Sequence, residues 1–171
     1  IEPRKNLLAL SKAFDSLLQV GRIDPETKLL IVGRKGWFYT DILTKIARLP
    51  CYKNIRIVGP LSEESLIAAY QSATLLAYPS MFEGFGFPVL EAMALDCPVI
   101  TSNCSSLIEV AEDAALLVDP HSHRELSLAM GKILMQKDLR KKLIKKGRAR
   151  LEDFSWKLCC DKTLSVYEEL N

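Results

Sequence analysis

Glu83-Gly84-Phe85-Gly86-Phe87-Pro88-Val89-Leu90-Glu91-Ala92-Met93 is the stretch on which the reading of this 171-residue sequence turns. A short apolar run at 74–77 precedes it, and a helical pattern follows. A strand passing through a glycine turn into a helix is half of a βαβ unit. The two glycines allow close approach of the backbone to a ligand, and Pro88 suits a first helical turn. Unpaired N–H groups and the helix dipole there favour an anion, so the segment reads as a phosphate cradle. Glu91, about one turn further on, can accept hydrogen bonds from two adjacent hydroxyls such as those of a ribose. Glu83, on the loop, can reach another hydroxylated group. Read as structure alone, the same residues form a helix start whose glutamates gain a few tenths to about 1 kcal/mol from the dipole. The dinucleotide fingerprint is not met, because Val89 stands where its third glycine would fall.

Outward from this segment, strand-like and helix-like patterns alternate. Leu7, Leu10, Phe14, Leu17 and Leu18 recur at helical spacing, with Asn6 available as N-cap and Gly21 as a stop. Short apolar runs at 29–32, 55–58, 74–77, 98–101 and 115–118 read as five buried strands, apolar on both faces as covered parallel strands are. Helices are predicted at 37–47 and 63–72, near Ser106, and at 124–137, 139–150 and 156–170 behind Ser155. Strict alternation implies one α/β domain over 1–171, a Rossmann-like doubly wound parallel sheet with ligands at the C-terminal strand ends. This architecture usually begins with a strand, whereas the sequence opens on Ile1-Glu2-Pro3 and a helix. An upstream first strand is therefore expected, with an unfilled lane in the sheet where it would lie.

Hydrophobic residues make up 49% and charged residues 26%, the composition of a globular domain. The net charge of +2 is too small for a nucleic-acid partner, which would show a concentrated basic stripe. Five scattered cysteines lack zinc or redox spacing, which fits reduced thiols in the cytoplasm. No apolar run approaches the roughly 20 residues that cross a bilayer. His121 and His123 read as loop or helix-start positions, and the basic cluster from Lys141 to Arg150 as a solvated helix face. Trp37 is expected to pack locally and Trp156 to anchor the last helix.

The segment from Glu83 to Glu91 resembles the signature of retaining glycosyltransferase family 4, in which two glutamates bracket a Gly-Phe-Gly turn. Glu2-Pro3-Arg4-Lys5-Asn6, Val32-Gly33-Arg34-Lys35-Gly36-Trp37, Val58-Gly59-Pro60-Leu61-Ser62 and Ala77-Tyr78-Pro79-Ser80 fit the same family in order and distance. The resemblance covers essentially the whole chain. It implies the C-terminal, donor-binding lobe of a GT-B enzyme, with an N-terminal acceptor lobe elsewhere in the parent chain. It also implies transfer of a hexosyl group, mannosyl or glucosyl, from a nucleotide-diphosphate sugar with retained anomeric configuration.

Carried over by position, Lys5 neutralises the donor diphosphate, with Arg4 a weaker candidate, and Lys5 and Glu83 are the catalytic candidates. Backbone N–H groups of Gly84, Phe85, Gly86 and Phe87 hold sugar and phosphate, Glu83 contacts sugar hydroxyls, and Glu91 holds the ribose. Leu90 belongs to the same donor-binding set, and Gly33, Val58 and Leu61 border the base. No cofactor is expected and no metal, since the sequence offers no Asp-x-Asp pair to hold one between phosphates. The resemblance leaves room for peripheral membrane contact through the parent protein, since several members use lipid-linked acceptors. Two departures stand out: a further basic residue of the family's diphosphate clamp, normally at the end of the first strand, is not in this sequence, and neither is the acceptor lobe. The isolated chain is therefore expected to bind a nucleotide weakly and to be inactive. A non-catalytic sugar-nucleotide-binding or regulatory module acting through a partner would keep the same residues. An oxidoreductase cofactor domain would instead need a three-glycine turn.

Overall fold

The computed structural model describes residues 1–170. After a 3-10 turn over Pro3–Lys5 come α1 (Leu7–Gln19), β1 (Leu29–Val32), α2 (Tyr39–Ala47), β2 (Ile55–Val58) and α3 (Glu63–Ser72). β3 (Leu76–Tyr78) leads through the glycine loop into α4 (Phe87–Ala94), followed by β4 (Val99–Ser102), α5 (Ser106–Ala111) and β5 (Ala115–Val118). α6 (His123–Met135), α7 (Lys137–Leu151) and α8 (Trp156–Glu169) complete the described chain.

Every strand pair among the described residues is parallel: β1 with β2, β3 with β4, and β4 with β5. Side chains alternate across a strand, so β4 shows how the sheet is covered. Ile100 packs into a core with Phe14 and Leu17 of α1 and Leu126 and Ile133 of α6. Its neighbour Val99 packs into a second core with Val89 and Met93 of α4 and Leu107 and Val110 of α5. Helices thus cover both faces, the doubly wound α/β arrangement expected. Burial of each large apolar side chain contributes about 1.5–3 kcal/mol.

The single sheet expected from the sequence is divided, among the described residues, into a ladder of β1 and β2 and a ladder of β3, β4 and β5. Coverage of both faces also fails at β1. Ile31 is buried, but Leu30 and Val32, pointing the other way, are 47% and 37% exposed, and α3 buries none of its residues. An apolar run alone did not show which face would find a partner.

Four local expectations are corrected. The second helix begins at Tyr39 rather than residue 37, because Phe38 takes a left-handed conformation at φ 56°. Trp37 consequently stands 80% exposed instead of packing. Trp156 does not anchor α8 either: it is exposed, α8 buries no residue, and the helix start is held by the Ser155 hydroxyl accepting from the Leu158 N–H. Asn6 occupies the N-cap position of α1 at φ 57°, yet its side chain donates to the Pro120 carbonyl at 2.6 Å and makes no cap.

The basic face of α7 is only partly solvated. Lys146 pairs with Asp113, and Arg148 donates to Asp96 at 2.7 Å. Arg150, its side chain 16% exposed, donates to the Val110 carbonyl and pairs with Glu112 and Asp153. The row therefore ties α7 to the ends of α4 and α5. None of the five cysteines is in a disulfide, and no helix of the described residues is long and apolar enough to cross a membrane.

Candidate functional site

The site forms where three segments meet at the C-terminal end of β3. The 3-10 turn presents Arg4 and Lys5, the last residue of β3 presents Tyr78, and the loop before α4 presents Glu83. The turn is tied to this place by its backbone, since the Met81 N–H donates to the Arg4 carbonyl at 2.8 Å. Lys5 Nζ donates to Glu83 Oε1 and to Tyr78 Oη, both at 2.6 Å. Tyr78 Oη donates in turn to Glu83 Oε1 at 2.8 Å, and Arg4 Nη1 donates to Glu83 Oε2 at 2.6 Å. Both oxygens of the carboxylate are therefore held. Lys5 also lies 4.8 Å from the centre of the Tyr78 ring, a favourable cation–π distance.

Glu83 is 8% exposed, and burial by itself disfavours its ionised form. Hydrogen bonds from Lys5, Tyr78 and Arg4 outweigh that burial and bring the carboxyl down to about 2. Burial likewise opposes the charge on Lys5, but Glu83 and Tyr78 raise its affinity for a proton above the ordinary lysine value. The Arg4 guanidinium is shifted further up by its hydrogen bond to Glu83. Arg4 Nε also donates to Glu2 Oε2 at 2.9 Å, so the two cations share the site with two carboxylates.

Gly84 and Gly86 differ in what they do. A Cβ on Gly84 would meet nothing within 4 Å, so this residue leaves the loop open to an approaching group. Gly86 is buried at φ 119°, and a Cβ there would come within 2.8 Å of Leu107 Cδ2. The positive φ and the contact with α5 by themselves require glycine here. Phe85 and Phe87 are partly exposed with ring centroids 4.8 Å apart, and Phe85 meets Phe154 edge-on at 5.9 Å. An open cleft of about 480 Å³ lies beside this loop, lined by Phe82, Glu83, Phe85, Ser106, Arg150 and Phe154.

The expected donor-binding residues separate into groups. Arg4, Lys5 and Glu83 come together as described. Glu91 lies exposed on α4, with Oε2 accepting from Tyr70 Oη at 3.0 Å. Leu90 is half-buried and packs against the core of α4 and α5. Gly33, Val58 and Leu61 follow or end the strands of the other ladder, with Gly33 at φ 146° and Val58 and Leu61 half-buried.

Five contacting residues were not among the candidates, the first being Glu2 on Arg4. Tyr78 hydrogen-bonds Glu83 and Tyr70 hydrogen-bonds Glu91. Ser105 Oγ accepts from the Glu83 N–H at 3.2 Å, and Ser106 Oγ lies 2.9 Å from the Glu83 carbonyl and 2.7 Å from that of Phe85. Tyr78 stood in a motif quoted from the sequence. The serines follow β4, more than 20 positions from Glu83, and nothing local marks them.

The family model described as glycosyl transferases group 1 matches residues 1–150. O-antigen chain mannosyltransferase B of Escherichia coli is 34% identical over 171 residues, covering 99% of this chain and 44% of its own length. Sucrose-phosphate synthase of Thermosynechococcus elongatus superposes with a TM-score of 0.83 at 28% identity, over 99% of this chain and 43% of that one. The HepE protein of Anabaena, solved in complex with UDP and glucose, superposes with a TM-score of 0.81 at 18% identity, over 99% of this chain and 46% of that one. This last likeness speaks for the fold alone. The chain spans less than half the length of these relatives.

Proposed function

We propose a function from one premise, that this chain belongs to the glycosyl transferases group 1 family. It is the donor-binding lobe of a GT-B glycosyltransferase, taking a nucleotide-diphosphate sugar whose glycosyl group passes to an acceptor held by an N-terminal lobe of the parent chain. The observation that carries this reading is the pair of cations, Arg4 and Lys5, held at the mouth of the Glu83–Phe87 loop beside an open glycine. A diphosphate needs positive charge and N–H donors at one place, and these residues supply both.

In this reading Lys5 and Arg4 take the negative charge that develops on the departing diphosphate, and Glu83 holds hydroxyls of the transferred sugar. The free oxygen of Glu91 accepts from the ribose while Tyr70 fixes the other. Configuration is retained, with attack from the face that the diphosphate leaves. Lys5 and Arg4 supply the charge compensation, so no divalent metal is required. The similarity to O-antigen chain mannosyltransferase B over nearly the whole chain favours a mannosyl donor, with glucosyl as the close alternative. The parent protein acts in the cytoplasm, with peripheral contact to a membrane where its acceptor is lipid-linked.

Calorimetric titration with UDP, GDP and ADP in the absence of metal tests this reading, repeated on Lys5→Ala and Glu91→Ala. The expected result is binding of one nucleotide, weakened in both variants. Failure of every nucleotide to bind the folded chain, and equally the full-length parent, would refute it.

A further inference from the structure

The segment joining β4 to α5 does more than connect them. Ser105 has φ 51° and ψ −149°, at the edge of a region that is essentially reserved for glycine. A side chain there strains the backbone, and a glycine would remove the strain. The residue is nevertheless serine, and its hydroxyl accepts the N–H of Glu83. The next hydroxyl, that of Ser106, donates to the carbonyl of the same residue, Glu83, or to that of Phe85. Glu83 is thus gripped at its N–H and at its C=O by two consecutive side chains. Cys104 adds a contact from Sγ to the Met81 carbonyl at 3.2 Å, and Leu107 closes against Gly86.

We propose that Ser105 and Ser106 are positioning residues for the Glu83 loop, with backbone strain at Ser105 retained because its hydroxyl fixes where the Glu83 carboxylate stands. A carboxylate held by Lys5 and Arg4 at 2.6 Å each tolerates little displacement of its own backbone. Small misplacements of a site residue weaken its action steeply. The use made of this positioning, holding a sugar nucleotide, rests on the donor-site reading above. The grip itself does not.

The experiment separates strain from grip. Ser105→Gly relieves the backbone and deletes the hydroxyl, Ser105→Ala deletes the hydroxyl and keeps the strain, and Ser106→Ala removes the second contact. Thermal unfolding, hydrogen exchange of the Glu83 amide, and titration with GDP-mannose and UDP-glucose are measured on each. Ser105→Gly is expected to unfold about 1–4 °C higher than the parent sequence. Its Glu83 amide is expected to exchange at least tenfold faster and its sugar-nucleotide affinity to fall about five- to tenfold. A merely structural serine would move stability and binding in the same direction. Unchanged exchange at Glu83 in Ser105→Gly and Ser106→Ala overturns the inference, as does unchanged affinity where the parent sequence binds. If neither this chain nor the full-length parent binds a sugar nucleotide, the donor-site reading fails, and the exchange measurement alone decides whether the serines hold the loop.

Discussion

Replacing Glu83 by glutamine should tighten the binding of a bare nucleoside diphosphate, although Glu83 is itself placed in the donor site. Its carboxylate occupies Lys5 Nζ and Arg4 Nη1, each at 2.6 Å, and these are the cations proposed to hold the diphosphate. A phosphate oxygen bonded to the same Lys5 ammonium would lie roughly 5 Å from the carboxylate. Two like charges at that distance repel by about 3 kcal/mol at an effective dielectric constant of 20 and by about 0.8 kcal/mol in bulk water. The Arg4 and Lys5 side chains are 45% and 26% exposed, so the working value lies between these limits, near 1–2 kcal/mol. Glu83→Gln is therefore expected to bind GDP or UDP about five- to thirtyfold more tightly. The sugar nucleotide should gain less, because the amide replaces the acceptor offered to the sugar hydroxyls. Titration calorimetry at low ionic strength measures both, and raising the salt should shrink the difference. A folded Glu83→Gln variant that binds the diphosphate no more tightly than the parent sequence would refute the idea that Glu83 competes for these cations.

Acid should expose the same cluster in another way. With the Glu83 carboxyl down at about 2, its contribution to stability is fully present above the unfolded value near 4.5 and is lost as pH falls toward 2. That contribution is about 3 kcal/mol at most, and urea unfolding at pH 6, 4 and 3 should show a shallower acid limb in Glu83→Gln. Phe14→Ala empties a position that is 2% exposed beneath α6 and should cost about 3–5 kcal/mol, lowering the thermal midpoint by roughly 10 °C. Gly86→Ala forces a side chain into φ 119° and against Leu107, and should cost about 1–3 kcal/mol by denaturant titration. No loss of stability there would mean the loop relaxes freely and that Gly86 is not required by the turn.

Much of this protein is determined by local pattern. Five apolar runs and the helices between them follow from hydrophobic periodicity, and the observed strand Ala115–Val118 and helix Glu63–Ser72 coincide with the ranges read from the sequence. The glycine loop between β3 and α4 was legible because glycine, proline and glutamate at close spacing each have a backbone or charge reason to be there. What tertiary structure alone decided concerns partners distant along the chain. Leu30 and Ile31 are alike in the sequence, yet only Ile31 finds helices to cover it. Leu90 lies within the signature segment, and only the fold shows that it packs partly against the core of α4 and α5. Trp156 looks like an anchor and is left in solvent, because burial depends on what packs opposite, not on the residue. Arg4 and Lys5 meet Glu83 across nearly 80 positions, and Ser105 reaches the Glu83 amide across 22. Such contacts depend on how strand ends are brought together in space, and local spacing carries no record of that.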